Sequence, residues 1–336
     1  YKKVTDDLLQ KKMKVPSSTG LSTVAWYNSG KIQNKGWEFN IDIAAVKTKD
    51  WSFNFGFNIS QNKNEILELP ENKNDELYTF GNKNYAYSVM MGDPLGSFYG
   101  YRYKGVYQNV EETYAVNTSG QRILDIDGNP VVMKNGDQKV YPGDARYEDV
   151  NGDGVIDEND IVYLGNSNPT LTGGLNFTLR YKKVSLVAAF HGRAGQKVIN
   201  QARMDMENMR GKNNQSVAVL RRWRSEGDDT DIPRALYDKG YNYLGSDRFV
   251  EDASFLRLKT VTLKYQMPAK WMKAIGVNKL ELYATGYDMF VWTKYKGQDP
   301  EVNLKAANDG TVAQVAIDSN NTPKPFKIAF GLNLNF

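Results

Sequence analysis

PFKIAFGLNLNF (Pro325 to Phe336) closes the chain. Phe326, Ile328, Phe330, Leu332, Leu334 and Phe336 fall on one face of an extended strand, and Lys327, Ala329, Gly331, Asn333 and Asn335 on the other. Alternation without a miss is the period-2 signature of a strand with two chemically different faces. The same pattern recurs upstream. Trp37, Phe39, Ile41 and Ile43 alternate with polar residues, and after the turn 47–50 so do Trp51, Phe53, Phe55, Phe57 and Ile59. A second hairpin carries Leu175, Phe177, Leu179 and Tyr181, turns at 182–183 and returns through Leu186, Ala188 and Phe190. A third pair runs over about 254–265 and 279–288. There Leu256 and Leu258 lie out of phase with Val261, Leu263 and Tyr265, as a bulge would cause. Seven strands are expected in this way.

The connections alternate in length: short at 47–50, long at 61–170, short at 182–183, long at 192–253, modest at 266–278 and long at 289–325. Short turns on one rim and long loops on the other are the mark of a transmembrane barrel. A soluble sandwich gives no reason for every second loop to be long. With short turns in the periplasm, the last strand ends there, and the loops 61–170, 192–253 and 289–325 are extracellular. Trp51, Tyr181, Tyr265 and Phe336 then form an aromatic girdle at the periplasmic strand ends. The predicted fold is all-β, an antiparallel transmembrane β-barrel. An odd set of strands leaves edges that lipid does not tolerate. Further strands are therefore expected upstream of Tyr1, outside this chain, and Tyr1 is not expected to be the natural start.

Composition agrees. The chain has 336 residues, 24% of them charged, and a mean hydropathy of −0.58, with no apolar run long enough for a membrane helix. It carries 21 Tyr, 14 Phe and 6 Trp, which suits aromatic girdles. The absence of Cys excludes disulfides and thiolate sites, and the single His191, placed on the lumen face, argues against histidine catalysis or zinc. A net charge of +4 is too small to suggest nucleic acid. No catalytic constellation is visible. The acidic pairs Glu111-Glu112 and Asp228-Asp229 lie in loops with no identifiable partner, and no enzyme activity is expected.

NSGKIQNKGWEF (Asn28 to Phe39) resembles a signature of SusC/RagA-type TonB-dependent outer-membrane transporters. So do GDPLGSFYGY (Gly92 to Tyr101), PGDARYEDVNGDGVID (Pro142 to Asp157), LGNSNPTLTGGL (Leu164 to Leu175), DASFLRLKTVTLKY (Asp252 to Tyr265) and YKGQDPE (Tyr295 to Glu301). Six blocks in order cover nearly the whole chain. The resemblance implies the carboxy-terminal third of a longer chain with a barrel of about twenty-two strands. The plug domain, TonB box and early strands would lie outside this chain. It also implies a SusD-like surface lipoprotein as partner, energy from TonB–ExbB–ExbD, and import of oligosaccharides or peptides. A passive pore or an adhesin-bearing structural barrel is the alternative, separated by whether a plug and TonB box exist upstream.

One local motif points to a cation. Asp149, Asn151 and Asp153 at positions 1, 3 and 5, the Val155 carbonyl at 7, Asp157 at 9 and Asp160 at 12 follow the spacing of a calcium loop, with Gly154 at the sharp turn. Asp160 is one methylene shorter than the usual Glu. Structural Ca²⁺ in a long loop is the expectation, against an ion-free Asx turn. Phe98, Tyr99, Tyr101, Tyr103 and Tyr107 are expected to pack rather than to stack on sugars. A helical stretch is expected over 196–209, and Arg221, Arg222, Trp223 and Arg224 behind it as a solvated face.

Overall fold

The computed structural model describes all residues apart from 15–17, 19, 21–23, 70–77, 80–84, 88–89, 238–240, 275 and 307–313. Eight strands form one antiparallel sheet in chain order: β1 (Lys2–Lys14), β2 (Val24–Lys47), β3 (Trp51–Glu68), β4 (Leu171–Tyr181), β5 (Val184–Ala194), β6 (Phe255–Gln266), β7 (Lys279–Thr293) and β8 (Lys327–Asn335). Every strand pairs with its sequence neighbour, and the sheet is open, with β1 and β8 at its edges. Seven of the eight match the alternating segments.

The eighth, β1, corrects the count of seven. Its sequence KKVTDDLLQKKMK lacks alternation, and it is held by eleven cross-strand partners on β2, interrupted by a bulge where Asp7 takes φ +55°. The long first hairpin is a second correction. β2 spans 24 residues and β3 18, well beyond the roughly 9–11 that cross a bilayer. Their outer parts, such as Asn62 to Glu65, are polar on both faces and give no periodic signal.

Register places like with like. One row across seven strands reads Ile43, Phe55, Phe177, Ala188, Val261, Gly286 and Ile328. The row on the opposite face reads Asp42, Gly56, Asn176, Ala189, Thr260, Tyr287 and Lys327. Gly56 lets the side chains of Asp42 and Asn176 close over it; a Cβ would lie 2.6 Å from Asp42 Oδ1 and 2.7 Å from Asn176 Oδ1, so both would have to turn aside. The apolar face is open: Phe330 is 81% exposed, and Leu332, Leu263, Phe39 and Trp37 are all exposed. A surface of this size and polarity is what lipid covers. The bulge expected near Leu258 is present. Lys259 stands opposite Asp288 and Met289, and Asp288 takes φ +49°, a conformation Asp tolerates.

Most of the buried apolar side chains lie outside this wall. The three long connections pack on one another beyond the strand ends. Tyr85 and Phe98 from the first, Ile199, Met204, Tyr243 and Phe249 from the second, and Val315 and Ile317 from the third share one core. Each such buried side chain contributes about 1.5–3 kcal/mol. Lys197–Asn200 pairs antiparallel with Val250–Asp252 and parallel with Gln314–Asp318, so two connections share a small sheet. That pairing takes the first part of the stretch expected to be helical; only Gln201–Glu207 is helix, capped by Asn200. β-branched Val198 and Ile199 suit the strand.

If the exposed apolar face is the lipid face, Phe330→Arg should cost about 2–4 kcal/mol in bilayer unfolding, whereas Asn333→Arg on the other face should be near neutral. Denaturant titration in bilayers checks this.

Candidate functional site

The layer formed by the long connections is where chemistry can be presented. The aromatic run at its start is interior. Phe98, Tyr99 and Tyr107 are buried, Tyr99 meets the edge of Tyr163 at 5.8 Å, and Tyr101 and Tyr103 both lean on Tyr147 at 5.7 and 5.8 Å. Packing, not display, is their role, as expected. Tyr85 Oη donates to the Ser246 carbonyl at 2.8 Å and Tyr103 Oη to the Asp231 carbonyl at 2.6 Å, each tying the first connection to the second.

Buried ion pairs add to this, one set between the first and second connections and one within the second. Asp144, fully buried, accepts from Arg234 at 2.7 and 3.2 Å, from Asn242 at 3.2 Å and from the Tyr141 amide at 2.8 Å. Glu207 is shared by Arg203 (2.9 Å) and Arg248 (3.0 Å), and Arg203 also reaches Glu251 at 2.7 Å. Breaking one partner of such a set leaves a buried charge, so these pairs specify one loop arrangement rather than add much net stability.

At the base of the layer, Arg257 on β6 donates to Asp299 at 2.6 Å. Its Nε lies 2.8 Å from Glu301, within ion-pair range but off the hydrogen-bonding direction. Lys324 Nζ sits 2.6 Å from Glu301 and Lys259 3.5 Å. Burial alone would raise the Glu301 pKa, yet the contacts with Lys324, Lys259 and Arg257 hold it below the usual carboxylate value. The third connection is thereby anchored to the wall. His191 shares the row of Arg257 and meets Phe255 edge-on at 5.8 Å, on the face opposite the apolar one.

The expected cation loop is a half-buried turn whose oxygens face backbone donors. Asp149 accepts from the Gly152 and Gly154 amides at 2.7 and 2.8 Å, Asn151 from the Asp153 amide at 3.1 Å, and Asp153 from the Val155 amide at 2.8 Å. Asp157 and Asp160 form a capping box at the short turn Glu158–Asp160. Asp160 is fully buried, with its oxygens on the Val150 amide at 2.7 Å and the Asp157 amide at 2.9 Å. Burial pushes its pKa up. Among the described residues no group of three or more carboxylate, imidazole or thiol side chains is gathered to hold a metal.

The remaining expectations resolve individually. Glu111 pairs with Arg122 and Glu112 with Arg146, so that acidic pair does have partners, brought in from across the loop. Asp228 accepts from the amides of Arg224 and Ser225, which close its own turn. Arg221 and Arg224 are exposed, whereas Trp223 is partly buried over Gly143, whose φ is +88°.

Two open cavities accompany the layer. One, of about 720 Å³, lies within the first connection and mixes Arg102, Lys104 and Arg146 with Glu112, Glu148 and Tyr114. The other, of about 610 Å³, lies between the wall and that connection. It is lined by Asn34, Asn62, Asn64, Asn166, Asn168 and the ring of Tyr163, among others, with Lys63 as its single charged residue. The lining thus offers neutral amide donors and acceptors beside one aromatic ring.

Burial raises the phenols of Tyr101 and Tyr107 to about 12, above the ordinary value near 10. A raised folded pKa gives stability that is complete below pH 10 and lost as pH rises towards 12. The layer should therefore loosen between pH 10 and 12, before the strands do. Proteolysis of residues 95–165 alongside ultraviolet titration of tyrosinate checks the order.

No family model matches the chain. Across all of it the sequence is 33% identical to TonB-dependent receptor P26 of Formosa agariphila, and 27% identical to TonB-dependent receptor SusC of Bacteroides thetaiotaomicron. It is 29% identical to receptor P3 of F. agariphila over 99% of its length. The chain spans about a third of the length of these relatives, between 29% and 32%. Its fold is similar to the solved RagAB peptide transporter, with a TM-score of 0.71 at 24% identity over the whole chain and 32% of that one. RagAB in its closed-closed state gives 0.70, also at 24% identity, over the whole chain and 33% of that one. From end to end the chain is similar to TonB-dependent receptors, SusC among them, and it shares its fold with the matching third of RagAB.

Proposed function

We propose that this chain is part of an outer-membrane barrel that imports nutrient oligomers, paired with a SusD-like surface lipoprotein and energised by TonB–ExbB–ExbD. The observation that carries the reading is the division of the molecule into an apolar-faced wall and a packed layer at one end only. The wall suits lipid, and the layer offers the lipoprotein and the cargo a surface fixed by buried ion pairs. The open edges β1 and β8 call for strands from elsewhere to complete the barrel in lipid. In this reading the short turns face the periplasm and the layer lies outside the cell. The neutral amide cavity favours glycan cargo, while the name of RagAB, a peptide importer, keeps peptides within the same reading.

In cells carrying the full-length receptor, uptake of the cognate oligomer should be abolished when TonB is deleted. A passive pore would carry on unchanged, and that result would replace this reading with the pore.

A cation in the loop 149–160 is a separate proposal, supported by the ligand spacing and by Gly154 at φ +85°. Adding Ca²⁺ to the EDTA-treated receptor should slow proteolysis of this loop, and Asp149→Ala should remove the effect. Identical cleavage with and without Ca²⁺ would identify a simple Asx turn.

A further inference from the structure

The geometry points to a phospholipid site on the outside of the wall, at the rim of short turns. Its acyl-chain groove is lined by Val46, Trp51, Phe53 and Leu179, and its headgroup lysines are Lys49, Lys182 and Lys183.

The groove has a structural cause. β2 and β3 lose register between Ala44 and Val46, so Ala45 is an extra residue in the ladder. The bulge bends β2 where the outward row passes from Val46 to Phe53 and Leu179. A cavity of about 430 Å³ opens there, lined only by those side chains and Trp51. It lies on the apolar face and continues the surface that lipid covers.

The headgroup end is built from the adjoining turns. Trp51 and Tyr181 are cross-strand partners with ring centroids 4.3 Å apart, both exposed on the apolar face. Lys182 takes φ +50° and carries its ammonium 5.2 Å from the centre of the Tyr181 ring. An ammonium above an aromatic shelf at the end of an apolar groove is the arrangement of a lipid phosphate site. The Lys182 amide donates to the Asp50 carbonyl at 2.7 Å, fixing the two turns side by side. Lys47, Lys49, Lys182 and Lys183 are exposed there against the one carboxylate of Asp50, and among the described residues none of the four makes an ion pair. Adjacent strands lie about 4.8 Å apart, so the two turns are about 10 Å apart and can share one headgroup.

The occupant is an anionic glycerophospholipid. It has a phosphate for the ammonium groups and acyl chains for an open apolar depression. Placing it in the periplasmic leaflet rests on the orientation given under Proposed function.

The test uses the full-length receptor, delipidated and offered phosphatidylglycerol, with bound lipid counted by native mass spectrometry. Heat-modifiable gel mobility confirms that each variant is folded. The double variant Lys49→Gln/Lys182→Gln should retain roughly tenfold less phosphatidylglycerol than the parent. Leu179→Trp, which fills the groove and leaves every lysine, should also retain less. Equal retention by the parent and the double variant overturns the proposal, as does capture of lipid A in preference to phosphatidylglycerol. Orientation is read separately. This chain has no cysteine, so Asp50→Cys, in a receptor free of other cysteines, can be exposed to an impermeant maleimide on intact cells. Labelling only after the outer membrane is permeabilised is expected. Labelling of intact cells would refute the periplasmic placement, whatever the lipid measurement shows.

Discussion

Lipid offers no hydrogen bonds, so every backbone N–H and C=O at membrane depth must find its partner within the sheet. That constraint organises the whole chain. It forces each wall strand against its sequence neighbour, with antiparallel ladders in chain order. With the ladder fixed, side chains have two destinations only, and a slip of one residue would exchange them. The rows Ile43 to Ile328 and Asp42 to Lys327 show that exchange being avoided across seven strands.

A wall of this kind has little interior of its own. Its apolar face is exposed, as a face that meets lipid would be, and its polar face is open among the described residues. The side chains that behave as a protein core are found within the first long connection and where the three connections meet. There the chain is ordered by ordinary burial, by phenols donating to carbonyls, and by shared charges such as Glu207 and Glu301. Two folding regimes thus coexist: a ladder governed by backbone satisfaction, and a water-facing layer governed by packing. The Arg257 cluster joins them, because Arg257 stands on a wall strand and its carboxylate partners on a connection.

Legibility followed the same division. Alternation revealed β4, β5 and β8 to within a few residues, and a phase break revealed the bulge at Lys259. It missed β1, whose pairing with β2 is unmistakable in three dimensions but whose charged sequence has no apolar stripe. It also stopped β3 near Ser60, although the strand runs to Glu68. Of the chemistry, the packing role of Phe98 to Tyr107 and the face that His191 takes, opposite the apolar one, were readable. The partners of Glu111 and Glu112 were not, because the arginines that meet them lie 11 and 34 residues further along the chain.

The sequence by itself determined most of the wall: seven of its eight strands, which face of each is apolar, and which connections are short. It does so because lipid and lumen are opposite solvents, and a strand between them must record the contrast at every second residue. Tertiary structure decided what lies beyond that contrast. Where both faces are wet, or where a side chain's partner is 90 residues away as for Arg234 and Asp144, no local pattern exists to be read. Pairing of β1, the shared core of the connections and the aromatic shelf beneath Lys182 emerge only when distant segments are brought together.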